Sequence, residues 1–377
     1  MLVLAVSYIA FFIVCVLLFN RHGATKWQDN ILWGLMAFSM AVIAYLYDPS
    51  GTGLDVVRHF QRLELIKQRD VSFIEFMLQD SFGYGGLYVY NAVCYLIAKL
   101  NINEHFLPFL VTLTSYLICF YILLDWTQSE GVERKSYALS LLVGTSFMPY
   151  YFVMCGIRNG VAMCIMALAV YLYLYKGKSI FLALIIGATA ATIHTSTLIA
   201  VPFLLLSKLK FNYKSIGLVL IASITVNRIA NIAAEMSIPY ITSMAKSYLV
   251  YSSDAQFRSA QYFLTTDMLL IVAFGILFFL QYGRYLLVKN NGRSTRLYSF
   301  IALYTTYIVG NFGNYDLVLR PAYLLGPLAP MLCYLLYNQE FWKRKASIQF
   351  ITKSGVALIS GFTFCRYMAY FFSVVKF

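Results

Sequence analysis

The sequence predicts an all-α integral membrane protein, a polytopic helical bundle of about 11–12 transmembrane helices, because its apolar runs can cross a hydrocarbon layer of ~30 Å. Of the 377 residues, 60% are hydrophobic and 12% are charged. Soluble domains carry about twice that charged fraction. The mean hydropathy of +0.70 points the same way. We therefore expect one transmembrane domain over residues 1–377.

The predicted crossings are apolar stretches separated mostly by short polar loops. They lie at 2–19, 30–47, 106–124, 136–154, 156–175, 179–193, 194–206, 215–232, 266–287, 297–311, 319–338 and 351–372. Two long polar insertions, 48–84 and 233–265, interrupt this pattern.

The distribution of basic residues predicts the orientation. Seventeen of the 29 Lys and Arg residues lie in one set of short loops, at 21–26, 134–135, 176–178, 208–214, 284–296 and 343–353. Short loops rich in Lys and Arg stay in the cytoplasm. Both long insertions and both termini are then extracytoplasmic.

This orientation constrains two further segments. The stretch 87–100 cannot cross, so 48–105 is predicted as an extracytoplasmic loop that contains an interfacial helix, and 233–265 as a second such loop. Basic residues flank 179–206 on one side, so this stretch is predicted as a helical hairpin. Each limb has ~13–15 residues, or ~20 Å, which is short for a full crossing. His194 lies at its turn.

Ionisable groups beside apolar helices are energetically costly, so they are candidates for functional residues. Those on the predicted outer side are Asp55, Arg58, Arg62, Arg158, His194, Asp316 and Arg320.

Three of these residues, Asp55, Arg58 and Arg62, share one helix face, since they are spaced by three and four. They form either a solvated surface helix or a basic surface that attracts a phosphorylated lipid. The i,i+4 pair Asp316 and Arg320 is either a local ion pair or part of a site that faces a cavity.

Arg158 and His194 also allow two interpretations each. Arg158 either extends to the membrane interface or uses its planar guanidinium to bind phosphate oxygens. Gly156 and Gly160 beside it permit close approach of a ligand or another backbone. His194 is either a hydrogen-bonded core residue or a group that exchanges a proton.

Neither a metal nor a cofactor is expected. The seven cysteines show no C-x-x-C spacing, the four histidines are scattered, and there is no H-E-x-x-H or D-x-D motif. There is also no Walker A loop and no G-x-G-x-x-G.

The net charge of the chain is +13. Part of it keeps the short basic loops in the cytoplasm, and the remainder suits an anionic lipid or substrate at the bilayer. No nucleic-acid partner is expected.

Several sequence features occur in one order along the chain. They are Asp55 in the first insertion, a Gly-aromatic segment with Gly86, Tyr88 and Asn91, the run Ile157–Ala162 with Arg158, a turn with His194, Ser196 and Leu198, and Arg320 followed by Tyr323. In this order the sequence resembles the bacterial Wzy-type polysaccharide repeat-unit polymerases, specifically the EpsG-like branch. It departs from that pattern at Asn159 (usually Gln), at Thr197 (usually Ala) and at Tyr84-Gly85 (usually Glu-Pro), so an acid role for that Glu does not transfer.

The resemblance implies polymerisation of undecaprenyl-diphosphate-linked repeat units of an O-antigen, capsule or exopolysaccharide. The reaction would be a metal-independent glycosyl transfer at the outer face of the bacterial cytoplasmic (inner) membrane, with a chain-length regulator protein as a further partner.

The resemblance also implies roles for individual residues. Arg158 and Arg320 would bind the diphosphate, supported by Arg58 and Arg62. His194 would be the acceptor base or a diphosphate contact, with Asp55 or Asp316 as the alternative base. Tyr88 would stack on sugar rings, and Tyr323 belongs to the late Arg–Tyr motif.

Four other functions fit a membrane protein with a basic site. A lipid-linked oligosaccharide flippase usually shows internal pseudo-symmetry, and none is evident here. A membrane O-acyltransferase would usually meet its acyl donor from the cytoplasm, opposite the predicted side of His194. An O-antigen ligase uses closely related chemistry, and a non-enzymatic transporter would show no turnover.

Overall fold

The computed structural model describes residue 13 and residues 26–49, 55–78, 85–132, 136–148, 150–207, 213–235, 292–311, 315–332 and 346–374. Within these ranges all regular secondary structure is helical. The all-α fold class is therefore confirmed.

The helices are numbered here in chain order. They are α1 (Lys26–Leu46), α2 (Asp55–Gln68), α3 (Phe73–Leu78), α4 (Tyr88–Lys99), α5 (Phe106–Ser129), α6 (Tyr137–Phe147), α7 (Tyr150–Cys155), α8 (Ile157–Val170), α9 (Ile180–Ala191), α10 (Ala200–Leu206), α11 (Tyr213–Glu235), α12 (Gly292–Gly310), α13 (Tyr315–Leu332) and α14 (Ala346–Val374). A π-helical turn, Tyr171–Tyr175, extends α8, and a 3-10 helix, Thr195–Ile199, precedes α10.

Three described helices are long and apolar enough to cross a membrane, judged by length and composition: Trp27–Leu46, Phe106–Ser129 and Ile157–Tyr175. Other helices leave large apolar side chains exposed, as in α9, where Phe181 is 70% exposed. Exposed apolar surface of this extent is expected where lipid covers it. The protein is therefore a helical membrane protein.

The centre of the bundle is α5, which packs against α1, α8 and α13. The rings of Trp33 in α1 and Phe120 in α5 lie 4.6 Å apart. Aromatic hydroxyls bind backbone carbonyls across the core, since Tyr116 donates to the Met148 oxygen at 2.9 Å and Tyr150 to the Met40 oxygen at 2.8 Å. These bonds satisfy polar groups that would be costly to leave unpaired in an apolar interior.

The predicted crossing 136–154 is two short helices, α6 and α7. The break follows from the sequence Met148-Pro149, because a proline disfavours helical geometry at the residue before it; Met148 has φ −126° and ψ 71°. A second break at Gly156 separates α7 from α8. A Cβ atom there would lie 2.6 Å from the Phe152 carbonyl oxygen, so glycine is required.

The predicted turn at His194 is present as a break in the helical structure. Helix α9 ends at Ala191, and His194 is extended, with φ −153° and ψ 120°, before the 3-10 helix begins. Each limb, Ile180–Ala191 and Thr195–Leu206, has 12 residues, or ~18 Å at 1.5 Å per residue. Both are shorter than a standard crossing, as the sequence predicts.

Within the predicted loop 48–105, the described helices α2, α3 and α4 form a small helical layer. Helix α4 packs on both others; the Tyr95 hydroxyl donates to the Val71 oxygen at 2.9 Å, and the Lys99 ammonium donates to the Arg69 oxygen. Helix α4 is not among the candidate spans of the described chain. Its outer placement stays a prediction. The insertion 233–265 and the crossings 2–19 and 266–287 lie almost wholly outside the described residues.

Candidate active site

Ionisable residues from separate segments meet at one end of the bundle, which we call the Arg158 end. It comprises Asp55, Arg58, His59 and Arg62 of α2, Tyr90 and Asn91 of α4, Arg158 of α8, His194 of the turn, and Arg320 of α13. Residues more than 260 positions apart in sequence therefore contribute to one place in the fold.

A chain of hydrogen bonds links Asp55, His59 and Tyr90. The His59 Nε2 atom lies 3.3 Å from an Asp55 carboxylate oxygen, and His59 Nδ1 lies 2.5 Å from the Tyr90 hydroxyl. The His59 side chain is 0% exposed, whereas that of Asp55 is 45% exposed. In the neutral ring that satisfies both bonds, Nε2–H donates to Asp55, and Nδ1 accepts from the Tyr90 hydroxyl. The buried His59 ring thus fixes the position of the partly exposed Asp55 carboxylate.

Burial lowers the pKa of His59, and the nearby guanidinium groups of Arg158 and Arg62 lower it further, although Asp55 opposes them. His59 is therefore neutral at pH 7. Burial alone would raise the pKa of Asp55, but the hydrogen bond from His59 and the charges of Arg158 and Arg58 bring it below 3.8. Asp55 is therefore a carboxylate at physiological pH.

The Tyr90 ring contacts two guanidinium groups. The Cζ atom of Arg62 lies 5.4 Å from the ring centroid, and that of Arg158 lies 5.5 Å from it. Such cation–π contacts contribute about 0.5–2 kcal/mol each. Arg62 is buried and donates to the Asn91 oxygen at 2.7 Å. Helix α4 therefore contacts Arg62 of α2 through both Tyr90 and Asn91. It contacts Arg158 of α8 through Tyr90.

His194 is held by Ser196 and, through it, by Asn159. The Ser196 backbone N–H donates to His194 Nδ1 at 3.2 Å, and the Ser196 hydroxyl lies 2.7 Å from the same atom. That hydroxyl also lies 3.2 Å from the Asn159 amide oxygen. It carries one proton, so it donates either to Asn159, with Nδ1–H donating to the hydroxyl, or to Nδ1, with the ring proton on Nε2. In both arrangements Nδ1 is bound to Ser196, and Nε2 is the ring nitrogen left for a substrate.

The charges of Arg320, Arg158 and Asp55 all act on the His194 ring. Asp55 in turn interacts with Arg158, and with Arg58, whose Nη1 lies 3.9 Å from it. Asp55, Arg158 and Arg320, all predicted from the sequence as site residues, therefore lie within electrostatic range of His194, which was predicted with them. An anion near His194 would meet two guanidinium groups, a histidine ring and one carboxylate among the described residues.

The remaining predicted site residues differ in exposure. Arg58 and Tyr88 are exposed, Tyr323 is buried one turn after Arg320, and the side chain of Asp316 lies outside the described residues. Their contacts with a substrate stay predictions.

A second charged cluster lies at the other end of α5 and α8, which we call the Asp125 end. The Lys176 ammonium is 2.9 Å from the Asp125 carboxylate, and the Tyr171 hydroxyl donates to that carboxylate at 2.5 Å. The Tyr175 hydroxyl donates to Glu130 at 2.8 Å. From Arg158 to Tyr175 the helix rises about 26 Å, which separates the two clusters by most of the hydrocarbon thickness.

The profile of the EpsG family matches residues 30–376, nearly the whole chain. The chain belongs to the EpsG family. Searches of the curated proteins and of the solved structures return no match. Membership in the EpsG-like polysaccharide polymerases supports a glycosyltransferase-like role in polysaccharide polymerisation and confirms the resemblance found in the sequence.

In this EpsG-family chain, the described residues include no group of three or more His, Cys, Asp or Glu side chains arranged to hold a metal ion. The expectation that the reaction needs no metal stays a prediction.

Sequence analysis missed His59 and Tyr90. The signal was present for His59, which lies four residues after Asp55 and three before Arg62 and therefore shares their helix face. No local pattern identifies Tyr90 among the chain's 31 tyrosines, because its partners come from α2 and α8. The roles of Ser196 and Asn159 likewise depend on a contact between separate helices.

Proposed function

We propose that this protein polymerises undecaprenyl-diphosphate-linked oligosaccharide repeat units of an O-antigen, capsule or exopolysaccharide. The growing glycan is transferred from its lipid diphosphate to the non-reducing end of a second lipid-linked repeat unit. The observation that supports this function most directly is the convergence of Asp55, Arg158, His194 and Arg320, because it combines an anion-binding surface with an accessible carboxylate.

The reaction exchanges one bond for another. The bond between the anomeric carbon of the donor glycan and its diphosphate oxygen breaks, and undecaprenyl diphosphate leaves with both electrons. A hydroxyl oxygen of the acceptor sugar forms the new glycosidic bond, and its proton passes to a base. Negative charge develops on the departing diphosphate, and preorganised positive groups stabilise it in the transition state.

Arg158 and Arg320 bind this diphosphate. A guanidinium group offers a planar pair of N–H donors that matches phosphate oxygens. Arg158 is oriented by the Tyr90 ring, and Arg320 approaches from α13. Exposed Arg58 supplies further positive charge, and buried Arg62 contacts the Tyr90 ring that orients Arg158.

His194 donates its Nε2–H to the diphosphate or to a sugar oxygen, in the tautomer in which the Ser196 N–H and hydroxyl both donate to Nδ1. Exposed Tyr88 lies in the same helical layer as Tyr90 and offers a ring on which a sugar can stack.

The site faces the extracytoplasmic side in this proposal, since the short basic loops lie in the cytoplasm. Single cysteines placed within 60–80 should react with a membrane-impermeant reagent in intact cells, and cysteines within 289–296 should not. Labelling of 289–296 from outside would refute the orientation.

Glycan banding of cells that lack the protein tests the function itself. Loss of a polymerase leaves single repeat units on the acceptor. Loss of an O-antigen ligase leaves none, and loss of a flippase stops export altogether. A ladder of normal length in the deletion strain would refute the proposal. Turnover of a lipid-linked repeat unit by purified protein separates an enzyme from a transporter, and the product separates glycosyl from acyl transfer.

A further inference from the structure

We infer that His59 and Tyr90 position Asp55 as the base that accepts the proton of the acceptor sugar, and that the same tyrosine holds Arg158 against the diphosphate. This inference rests on the proposed glycosyl transfer and assigns the base within it. His59 and Tyr90 are positioning residues, because they act on the substrate through Asp55 and Arg158.

His194 is poorly placed to be the base. The guanidinium charges of Arg320 and Arg158 act on its ring, and positive charge beside an imidazole disfavours the protonated form that a base must become. A carboxylate in the same site is therefore the better acceptor for the proton.

Asp55 provides the acceptor atom. Its carboxylate is nearly half exposed, it interacts electrostatically with both Arg158 and His194, and it stays charged at neutral pH. As the new glycosidic bond forms, the attacking hydroxyl becomes strongly acidic, so even a weakly basic carboxylate takes its proton if it is correctly placed. Asp55 is then protonated and later returns the proton to water.

His59 fixes where this carboxylate points. The ring is fully buried, so it does not reach the substrate, and its two nitrogens bond Asp55 on one side and Tyr90 on the other. Without this bond, a partly exposed carboxylate would rotate freely or turn towards Arg58 at 3.9 Å. The i,i+4 spacing of Asp55 and His59 places both on one turn of α2.

Tyr90 connects the base to the diphosphate contact. Its hydroxyl bonds His59, and its ring lies 5.5 Å from the Arg158 guanidinium. The two reacting parts, the acceptor hydroxyl and the leaving diphosphate, are therefore aligned by a single side chain. Alignment of this kind makes a large contribution to the rate of a two-substrate reaction.

The charged groups around this relay come from several elements. Asp55 faces His59 and Arg58 of its own helix, Arg158 of α8, Cys155 of α7 and His194 of the turn. His59 faces Asp55, Arg62, Arg158 and Tyr90. A hydrogen bond to a carboxylate favours its charged form, so removing the His59 bond raises the pKa of Asp55.

The test measures kcat against pH for the purified full-length protein acting on a lipid-linked repeat unit. His59→Phe keeps the ring volume and removes both hydrogen bonds. We expect kcat to fall about 10- to 100-fold with an unchanged KM, as for a misplaced acid–base residue. Between about pH 8 and pH 5 the wild type stays flat, whereas the variant loses activity towards the acid side, because its Asp55 titrates nearer neutral pH.

His59→Gln retains an amide donor for Asp55 and should recover most of the lost kcat. Tyr90→Phe keeps the ring under Arg158 and removes one hydrogen bond, so we expect a loss of about fivefold. Tyr95→Phe is the matched control, since it removes a tyrosine hydroxyl bond from the same helix, to Val71. It should leave kcat unchanged.

The outcomes separate this inference from the proposed function. No turnover by the wild type would overturn both. Wild-type turnover with normal kcat and a flat pH profile in His59→Phe would overturn only the relay, leaving the polymerase in place. If His59→Phe does not accumulate, the contrast between Tyr90→Phe and Tyr95→Phe decides, and equal kcat values in the two would refute the inference.

Discussion

At the Asp125 end of the long helices, Lys176 lies 2.9 Å from Asp125, and two tyrosines donate to Asp125 and Glu130. At the Arg158 end, arginines of α2 and α8 lie near the half-exposed carboxylate of Asp55, and Arg158 and Arg320 lie near His194. In the first cluster an ion pair and two tyrosine hydrogen bonds fasten α5 to the end of α8. In the second, the described residues bring guanidinium groups from three helices to one end of the bundle, which is the arrangement that the proposed diphosphate substrate needs.

This difference teaches how to read charged residues beside apolar helices. Ionisable groups at membrane depth are functional candidates by default, yet Lys176 and Asp125 satisfy the same description. Among the described residues, the clusters differ in their number of guanidinium groups and in the exposure of the carboxylate, which is 45% for Asp55 and 22% for Asp125. The two ends should therefore respond differently to substitution.

The largest effect is expected at Arg158. Arg158→Lys keeps the charge but loses the planar pair of donors, so the rate of polymerisation should fall by about 10²–10³, or roughly 3–4 kcal/mol. The measurement is the glycan ladder in cells at matched protein level. Lys176→Arg, a basic substitution at the Asp125 end, is the control and should preserve the ladder. A normal ladder from Arg158→Ala would remove Arg158 from the site.

A charge exchange tests whether Arg320 is merely half of a local ion pair with Asp316. The double variant Asp316→Arg, Arg320→Asp keeps any such pair but moves the guanidinium by one helical turn. We expect turnover to fall about 10²-fold, because a preorganised charge contact is lost. The corresponding exchange at the other end, Asp125→Lys with Lys176→Asp, should retain turnover. Activity in the first double variant would exclude Arg320 from diphosphate binding.

His194→Ala should reduce turnover less than loss of Arg158, by about 10- to 100-fold, since it removes one hydrogen-bond donor beside the reacting groups. His194→Gln offers an amide N–H and should recover part of the loss. If the glutamine variant were no better than alanine, a donor role for His194 would be wrong. Protein levels, measured by immunoblot, should match the wild type for both.

The smallest effect on activity is expected from Lys176→Met. This change leaves the Asp125 carboxylate with its tyrosine bond but no cation, so the stability of the protein in detergent should fall by about 1 kcal/mol, in line with partly exposed ion pairs. Turnover per folded molecule should stay within about twofold. A large loss of turnover with unchanged thermal stability would show that the Asp125 end also takes part in the reaction.

The sequence predicts the fold class, which is confirmed, and the residues of the candidate site, because both predictions depend on strong signals. Long apolar runs define the helices, and charges such as Arg158 and Arg320 stand out within them. The helix break at Met148 follows from Pro149. It was not predicted, because the surrounding residues are apolar and the stretch 136–154 resembles one continuous crossing. The relay through His59 and Tyr90 was not predictable from residue types alone, because it depends on how α2 and α4 pack.

The pairing at the Asp125 end was likewise not predictable from the sequence. Lys176 is predicted as a topogenic charge of a short loop, and nothing local indicates its pairing with Asp125, which lies 51 residues earlier. Contacts between distant segments decide which charged residues lie beside one another. That distinction needs the three-dimensional arrangement.

Binding of the lipid-linked donor to purified protein tests the contrast between the two ends most directly. Wild-type protein, Arg158→Ala and Lys176→Ala would be titrated with an undecaprenyl-diphosphate-linked repeat unit under the same detergent conditions. Arg158→Ala should bind at least tenfold more weakly than the wild type, because a charge-assisted contact with the diphosphate is lost. Lys176→Ala should bind as the wild type does. Equal affinity of all three proteins would contradict the assignment of the Arg158 end as the substrate site.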